Sequence, residues 1–512
     1  MTDRIYLLVQ GMHLRADSIA YDVAFQRRLF ESWGLSVEVF AETFDASHYP
    51  ETNARPFTEL VDALRRAPGL VIYHWVDGWR EGDDLLLTAR PPVVLRWHNN
   101  TPPWFFGKYS PVPTHKTVRG YRELLRVADG LPTARVWTNS EFSRRQLGVL
   151  GVGEERVGIV HPISAYLENG APAARRRIPK DPASPLRLLF VGRIVPHKGH
   201  AHLIAAAGAV AEMSGRKVEV SFPGRPDGDM PRYITELRSL AAHVGVDVEI
   251  PGEVSHEVLE QAYAKADVFV ALSEHEGFGL PVLEAMTRGL PVVGYRCAAV
   301  ATILESHPLA VDELDPAEIA RRVIAATDEP AGSALVEWQA RAVLPRFTRH
   351  VIEDQIRSCI TEAGLAVPGH PPSSPADEPS EPPPAEVSHA LDEACRLPDP
   401  GPQVPRHLPR DQNPHFVTRY DLESYHALLR SGPTGDLRAR ALAIEFGSHR
   451  KKTGSIMGLL KTGMLRLQDG LIRTIELSHN DLQEQMRAMD ERVDMLTAEI
   501  ERLRGRTERD GS

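Results

Sequence analysis

Residues 274–289 read Glu-His-Glu-Gly-Phe-Gly-Leu-Pro-Val-Leu-Glu-Ala-Met-Thr-Arg-Gly and lie between two apolar runs, 268–272 and 292–295. Short apolar runs bounded by turn residues predict buried strands. Pro281 suits the first turn of a helix, where its missing N–H would have no partner anyway. The predicted helix has an apolar side, formed by Val282, Leu283 and Met286. The stretch therefore predicts a strand, a glycine loop, a helix and a second strand, the arrangement that binds ligands at the edge of an open parallel sheet.

Two carboxylates flank this predicted loop. Glu276 stands at its entrance, and Glu284 follows one turn into the helix. Loop N–H groups and the positive end of a helix favour an electron-rich ligand. Carboxylates repel free phosphate but accept hydrogen bonds from hydroxyls, so the pattern favours a polyol whose phosphates lie further away, as in a sugar nucleotide. Two ordinary acids at a helix N-terminus would give the same pattern, and the residues alone leave both interpretations open.

The spacing of Glu276 and Glu284, with Gly-Phe-Gly-Leu-Pro between them, resembles the signature of family 4 retaining glycosyltransferases, which have the two-domain GT-B fold. A second motif of that family is also present, since residues 190–199 read Phe-Val-Gly-Arg-Ile-Val-Pro-His-Lys-Gly. The resemblance implies that Arg193 and Lys198 contact the donor diphosphate. It further implies that Glu276 contacts the donor sugar and that Glu284 holds the ribose. It covers about the first 365 residues.

The same resemblance implies further contacts to the donor. The loops at Gly224 and Val254 would line the nucleotide base, and the amides of Phe278 and Gly279 would orient the sugar. The full set of implied donor contacts is Gly192, Gly224, Val254, Gly277, Phe278, Gly279, Leu280 and Glu284. The donor is expected to be a GDP- or UDP-sugar, which is a substrate, and no separate cofactor and no metal site are predicted.

Residues 96–106 form a third candidate segment. They read Arg-Trp-His-Asn-Asn-Thr-Pro-Pro-Trp-Phe-Phe and follow a predicted strand, with two prolines that stiffen the loop. The segment resembles the His-Asn-x-Thr-Pro loop of related sugar transferases, which implies that His98 faces the donor sugar across the cleft. The aromatic residues that follow would shape an acceptor pocket or simply form core, and both readings stay open: Trp104, Phe105 and Phe106.

Composition narrows the class of protein. The chain has 512 residues and a net charge of −10, which argues against nucleic acid as a partner. Its three cysteines are widely separated, which fits a reducing cytosol. No apolar run reaches about 18 residues, so no transmembrane helix is predicted. The N-terminus leads straight into a strand and predicts no signal peptide. A cytoplasmic protein is the expectation, and attachment to the inner face of the membrane stays open.

Alternating short apolar runs and helical stretches predict an α/β protein with a Rossmann-like parallel sheet. The resemblance implies the GT-B fold, in which two such domains face a cleft. The expected order is an N-terminal acceptor domain, a donor-binding domain, a helix that crosses back, a Pro-rich disordered linker, a basic amphipathic helical segment and a coiled coil. Their predicted ranges are 1–168, 181–345, 346–366, 367–411, 412–471 and 472–505.

The C-terminal ranges suggest partners. The basic segment contains His449-Arg450-Lys451-Lys452 and a stripe of apolar residues, so it would lie on an anionic membrane or pack on its own dimer partner. Four heptads from Ile472 predict a coiled coil that forms a homodimer, and a trimer also fits.

Together these patterns and the resemblance predict a metal-independent hexosyltransferase that moves a sugar from a nucleotide sugar to a hydroxyl acceptor, and the resemblance implies that the anomeric configuration is retained. A lipid-linked glycan in envelope or surface polysaccharide synthesis is the expected acceptor. The alternative is a non-catalytic GT-B scaffold that recruits partners through its coiled coil. A sugar-nucleotide epimerase of the same fold is a further rival, although such enzymes lack the paired glutamates.

Overall fold

A computed structural model describes residues 3–12, 18–169, 184–365 and 381–405, with a few positions between 408 and 425. Most of the predicted basic segment, 412–471, and all of the predicted coiled coil, 472–505, lie outside the described residues. No described helix combines the length and the apolar character that crossing a bilayer requires.

The first domain is a seven-stranded parallel sheet with helices on its faces. The strand order is β3-β2-β1-β4-β5-β6-β7. The strands are β1 (Arg4–Met12), β2 (Ser36–Phe44), β3 (Arg55–Pro56), β4 (Leu70–Trp75), β5 (Val93–Trp97), β6 (Arg135–Thr138) and β7 (Val157–Ile159). The helices are α1 (Ser18–Ser32), α2 (Leu60–Arg66), α3 (Arg80–Ala89), α4 (Pro111–Gly130), α5 (Glu141–Val149) and α6 (Ala165–Glu168).

The second domain is a six-stranded parallel sheet in the order β10-β9-β8-β11-β12-β13. Its strands are β8 (Leu186–Leu189), β9 (Val218–Pro223), β10 (Asp247–Gly252), β11 (Val268–Ala271), β12 (Val292–Tyr295) and β13 (Ala310–Val311). Its helices are α7 (His200–Ser214), α8 (Pro231–Val244), α9 (His256–Lys265), α10 (Leu280–Thr287), α11 (Val300–Ile303), α12 (Pro316–Thr327) and α13 (Ala331–Trp338).

The central strands explain why both sheets are parallel. Every residue of β4 and of β11 is buried, because helices cover both faces of each sheet. In each sheet the strand order reverses once, between β1 and β4 in the first and between β8 and β11 in the second. Open parallel sheets bind ligands beyond the carboxyl ends of the strands at such a reversal. The loops after β4, β8 and β11 are therefore the places to look for a site.

A long helix, α14 (Arg349–Glu362), carries the chain from the second domain back to the first. Thr348 caps its N-terminus by accepting a hydrogen bond from the Val351 amide. The helix then packs beside β7, where the Gln355 side chain accepts a hydrogen bond from the His161 amide at 2.9 Å. The Arg357 guanidinium lies 4.2 Å from the ring centre of Trp33 on the first domain.

The prediction of a disordered linker over 367–411 is wrong for residues 381–405. A helix, α15 (Ala385–Ala394), forms there and packs against α12 and α13. The Trp338 indole also donates a hydrogen bond to the Glu381 carbonyl at 3.0 Å. The prolines and the lack of aromatic residues suggested disorder, but an apolar stripe with helical spacing is buried against the second domain. The stripe consists of Val387, Ala390, Leu391 and Ala394.

The chain passes between the two domains four times. Residues 170–183 lead to the second domain, α14 returns to the first, and α15 lies on the second again. Farther on, Arg419 donates a hydrogen bond to the Leu150 carbonyl on the first domain at 2.9 Å. The two domains are thus connected by more than a single hinge segment.

A buried histidine in the second domain, His307, should make the stability of this fold depend on pH. The Leu309 amide donates to His307 Nδ1 at 3.2 Å, and His307 Nε2 lies 3.0 Å from Gln339 Oε1. The ring is therefore neutral, with its proton on Nε2. Burial lowers the pKa of His307 from 6.5 to about 4.

Because the unfolded chain binds a proton more tightly than the folded chain, His307 supports the fold fully above pH 6.5 and loses that contribution as the pH falls towards about 4. The loss is about 3 kcal/mol. We expect His307→Asn, which keeps an acceptor for the Leu309 amide, to reduce the difference in unfolding free energy between neutral and acidic pH by this amount. Urea unfolding of both proteins at each pH measures it. An unchanged difference would contradict this assignment.

Candidate active site

The loops after β8 and β11 pack directly against each other. The first loop ends in a short 3₁₀ turn, Pro196–Lys198, and Gly199 then starts α7 with a left-handed φ of 73°. A Cβ atom at position 199 would lie 2.1 Å from the Leu272 carbonyl oxygen, so only glycine fits there. The Glu274 amide donates to the His197 carbonyl at 2.8 Å. These contacts fix the position of Lys198 relative to the loop that follows β11.

Lys198 and Glu276 form an ion pair inside this junction. The Lys198 ammonium donates to Glu276 Oε1 at 2.6 Å, and the Ser273 hydroxyl donates to the same oxygen at 2.9 Å. Both charged side chains are largely buried, with 16% and 12% of their areas exposed. Two residues that the resemblance assigns to the donor diphosphate and the donor sugar are therefore in contact. Each neutralises the other in the structure.

Arg193 differs from Lys198 in its surroundings. Its side chain is exposed and makes no ion pair with any residue that the structure describes. It lies in the loop after β8, and its charge reaches Asp77 in the loop after β4 of the first domain. Burial raises the pKa of Asp77, and the charges of Lys116, Arg119 and Arg193 oppose that rise. The Arg193 charge is therefore close enough to act on a carboxylate of the first domain.

The loops after β8, β9 and β10 contact one another beside Arg193. A Cβ atom at Gly224 would lie 1.8 Å from the Gly192 carbonyl oxygen, which requires glycine at this contact. The Gly224 amide also donates to the Gly252 carbonyl at 2.9 Å. Val254 follows two residues later and is half-buried. The predicted residues Gly192, Gly224 and Val254 thus lie along one edge of the sheet.

The start of α10 carries most of the other predicted donor contacts. Gly279 has a φ of 112° and precedes the first helical residue, Leu280. Phe278 is buried, and its ring centre lies 4.9 Å from that of His161 on the first domain. The helix starts four residues after Glu276, and the N-terminus of a helix suits an electron-rich ligand.

Glu284 lies one turn further along α10. The Tyr263 hydroxyl donates to Glu284 Oε2 at 3.3 Å. Burial raises the pKa of Glu284, and hydrogen bonds to the carboxylate, including the one from Tyr263, oppose that rise. The carboxylate is held in place and can accept a hydrogen bond from a ligand hydroxyl.

Polar side chains of the first domain form hydrogen bonds with the loop after β11. His275 Nε2 lies 3.1 Å from Asn99 Oδ1, and the Ser140 hydroxyl donates to the Gly277 carbonyl at 3.0 Å. A Cβ atom at Gly277 would lie 2.8 Å from Asn99 Cβ and 3.0 Å from the His98 carbonyl oxygen. The absence of a side chain at position 277 therefore lets the His98 backbone approach the predicted sugar-binding loop.

His98 itself is part of a buried polar network. Its Nε2 lies 3.1 Å from His74 Nδ1, and His74 Nε2 lies 3.3 Å from Gln26 Oε1. The nearby Arg96 pairs with Asp22 at 3.2 Å, and both side chains are completely buried. Burial lowers the pKa of both histidines well below 6.5, and the charge of Arg96 adds to this effect. Both rings are neutral at physiological pH.

Among the described residues, one group of side chains could hold a metal ion: Asp22, His74 and His98. The guanidinium of Arg96 already pairs with Asp22 and would repel a cation placed beside it. The ring nitrogens of the two histidines also bond to each other. The chemistry of this group therefore favours a hydrogen-bonded network over a metal centre.

The aromatic residues of the third candidate segment lie at the contact between the domains. Phe105 and Phe106 are buried, and their ring centres lie 5.6 Å and 5.7 Å from that of His197. Trp104 is only partly buried. The two phenylalanines therefore pack between the domains.

Several residues of this site were missed in the sequence: Asp22, Gln26, His74, Asp77, Asn99, Ser140 and His275. For Asp22, the sequence does contain an indication. Arg96 interrupts an apolar strand and needs a buried counter-charge, and Asp22 is an acid on the apolar side of α1. Nothing local in the sequence indicates that these two residues meet.

Comparisons with known proteins agree with the arrangement of the second domain. Residues 173–342 match the family described as glycosyl transferases group 1. A D-inositol 3-phosphate glycosyltransferase of Catenulispora acidiphila is 27% identical over 297 residues, which is 54% of this chain and 69% of the relative. One from Thermomonospora curvata is 32% identical over 230 residues, which is 42% of this chain and 52% of the relative. The chain spans about half the length of most such relatives.

Solved structures share the fold. Anabaena HepE, crystallised with UDP-glucose, has a TM-score of 0.53 at 18% identity, over 70% of this chain and 99% of that one. Sucrose-phosphate synthase from Thermosynechococcus elongatus has a TM-score of 0.51 at 18% identity, over 70% of this chain and 98% of that one. The prediction of a GT-B-like α/β fold with two parallel sheets is confirmed.

The role implied for Glu284 can be tested by nucleotide binding. If the carboxylate holds the ribose, Glu284→Gln should weaken binding of UDP or GDP roughly tenfold to a hundredfold, because a hydrogen bond to a charged group is lost. Isothermal titration calorimetry measures the change. Glu318→Gln, in the first turn of α12, is the matched control and should bind normally. Equal binding by Glu284→Gln and wild type would remove the ribose role.

Proposed function

We propose that this protein transfers a hexose from a nucleotide-diphosphate-sugar donor to a hydroxyl acceptor, with retention of the anomeric configuration and without a metal ion. The contact between Lys198 and Glu276 carries the proposal. It places a cation suited to a diphosphate against a carboxylate suited to sugar hydroxyls, within one loop junction. The match of residues 173–342 to glycosyl transferases group 1 supports it.

Cleavage of the donor leaves negative charge on the departing diphosphate. Lys198 and Arg193 neutralise this charge as it develops, which is the task that a divalent metal performs in other transferases. Because both cations are positioned before the reaction, little reorganisation is needed in the transition state. Donor binding exchanges the Lys198–Glu276 pair for two ligand contacts, with the ammonium on phosphate and the carboxylate on a sugar hydroxyl.

The other predicted residues hold the donor in place. Glu284 binds the ribose, the amides of Phe278 and Gly279 orient the sugar, and the loops at Gly224 and Val254 receive the base. His98 lies on the opposite wall and faces the sugar. The bond between the anomeric carbon and the diphosphate oxygen breaks, the acceptor hydroxyl oxygen bonds to that carbon from the same face, and the hydroxyl proton passes to the departing diphosphate, so the configuration is retained. Contacts across the cleft exclude water during this step.

The proposed biological role is the synthesis of an envelope or surface polysaccharide at the inner face of the membrane, with a lipid-linked glycan as acceptor. Polypeptide partners would be further copies of this chain, joined through the predicted coiled coil. UDP-glucose, the ligand in the HepE crystals, is the first donor to test. D-inositol 3-phosphate, for which the curated relatives are named, is the first soluble acceptor to test.

Turnover of a panel of UDP- and GDP-sugars, with and without acceptors, tests this function directly. For the donor that is used, Lys198→Ala should lower kcat by roughly 10²–10³-fold and change donor affinity much less, because the cation acts mainly on the departing charge. Lys217→Ala is the control, since Lys217 is an exposed lysine of the same domain that pairs with Asp247 at 2.8 Å. It should keep wild-type turnover.

Other outcomes separate the rival functions. Binding of a donor without transfer or release of nucleotide would favour a non-catalytic scaffold. Conversion of the donor alone to an isomer would favour an epimerase. Normal turnover by Lys198→Ala would show that this cation does not stabilise the departing diphosphate.

The C-terminal segments can be tested by truncation. Deleting 446–512 should leave transfer to a soluble acceptor intact, remove binding to anionic phospholipid vesicles and yield a monomer. Deleting only 472–512 should yield a monomer that still binds the vesicles, because each basic residue near the surface adds about 1 kcal/mol. Vesicle sedimentation and light scattering measure both properties. If deleting 472–512 alone already abolishes vesicle binding, the basic segment does not bind vesicles by itself, and we would infer that it packs on a partner.

A further inference from the structure

We propose that Asp22, Gln26 and His74 are positioning residues that fix the tautomer of His98, so that His98 Nδ1 faces the cleft as a hydrogen-bond acceptor for a hydroxyl group. The inference rests on the proposed sugar transfer for its functional meaning. The tautomer itself is a property of the protein alone and can be measured without substrate.

The chain of contacts begins at a buried ion pair. Arg96 Nε donates to Asp22 Oδ2 at 3.2 Å, and Arg96 Nη1 donates to the Val160 carbonyl at 2.8 Å. Neither side chain is exposed to solvent. Arginine keeps its proton in proteins, and a buried guanidinium requires a counter-charge. Asp22 is therefore held as a carboxylate in a fixed position.

Asp22 orients the amide of Gln26. The two residues are four apart on α1 and lie on the same face of the helix. Burial raises the pKa of Asp22, and contacts with Arg96 and with the Gln26 amide oppose that rise. The opposite orientation would point the Gln26 oxygen at the carboxylate, which repels it. The amide oxygen faces His74 in the structure, and Gln26 Nε2 and Asp22 Oδ1 are both buried without a hydrogen-bond partner among the described residues, so the amide nitrogen is the group left to interact with this carboxylate.

The orientation of Gln26 determines the tautomers of both rings. Gln26 Oε1 lies 3.3 Å from His74 Nε2, so this nitrogen carries the proton. A neutral imidazole has a lone pair on its other nitrogen. His74 Nδ1 is thus the acceptor for His98 Nε2, 3.1 Å away, and His98 Nε2 carries the second proton. By the same rule, His98 Nδ1 has a lone pair.

That lone pair is available to a ligand. His98 is partly exposed, and its Nδ1 has no hydrogen-bond partner in the part of the chain that the structure describes. The backbone of the same residue adjoins Gly277 in the predicted sugar-binding loop. The neutral Nδ1 atom can accept a hydrogen bond from a hydroxyl of the donor sugar or of the substrate that receives the sugar. Because the ring is uncharged, it adds no positive charge beside the anomeric carbon, which becomes cationic during transfer. The opposite tautomer would present an N–H group and could not accept this hydrogen bond.

Nitrogen NMR of protein labelled with ¹⁵N-histidine tests the tautomer, and His98→Gln identifies the His98 signals. Wild type should show the Nε2–H form. In Gln26→Met, His74 loses the acceptor for its proton, and a buried N–H without a partner is costly, so both rings should shift to the opposite tautomer. Turnover should then fall by about tenfold with little change in donor affinity.

Two variants control this experiment. Gln26→Glu can donate its proton to Asp22 and still accept from His74, so it should restore the wild-type tautomer and turnover. Gln339→Met is the matched control, because Gln339 is also a buried glutamine that contacts a histidine, His307. Gln339 accepts a hydrogen bond from the Val292 amide at the amino end of β12, which is the edge of the sheet opposite the site. This variant should lower stability and leave the His98 signals and the turnover of folded protein unchanged.

Three results for the tautomer and for turnover would overturn the proposal, and so would one result with zinc. The first three are an Nδ1–H tautomer in wild type, an unchanged tautomer in Gln26→Met, and a loss of turnover in Gln339→Met equal to that in Gln26→Met. A rise in Tm on addition of Zn²⁺ together with displacement of both histidine signals would assign the group to a metal and would also overturn it. If wild type transfers no sugar but shows the Nε2–H form, the proposed function fails and the tautomer assignment stands.

Discussion

The missing side chain at Gly277 is the constraint on which the cleft depends. A single Cβ atom there would collide with Asn99 and with the His98 carbonyl. With glycine, the loop after β11 fits against the first domain and is held by Ser140 and His275. This close approach joins loops that follow the carboxyl ends of strands in the two sheets. It also places the His98 network opposite Lys198 and Glu276.

A buried ion pair organises the side chains on the first-domain side of the cleft. Arg96 is placed in a central strand, where solvent cannot stabilise its charge. Asp22 supplies that stabilisation, and the amide and the two imidazoles nearby adopt hydrogen bonds consistent with it. Removing one member of such a pair typically costs 3–5 kcal/mol, since the other charge is left without a partner. The network is therefore both a part of the core and a part of the cleft surface.

The second-domain half of the site could be predicted because its signals are local. Glycines, Pro281 and the two glutamates lie within one strand-loop-helix unit, and Lys198 lies in another. The first-domain half could not, because residues such as Asp22, His74 and Asn99 come together only through the sheet order. The linker prediction failed for a related reason: composition suggested disorder, while the four-residue apolar stripe of α15 needed a surface on the second domain that the sequence does not show.

The repeated passage of the chain between the domains limits how they can separate. A protein with one connecting segment can swing open freely about it. Here the described residues show two later attachments of the chain to the first domain, through α14 and through Arg419 beside Leu150. Opening must either break these attachments or move them together with the first domain, which favours a small movement that keeps them intact. Less orientational freedom is then lost when a ligand draws the halves together, and more of the contact energy remains as affinity.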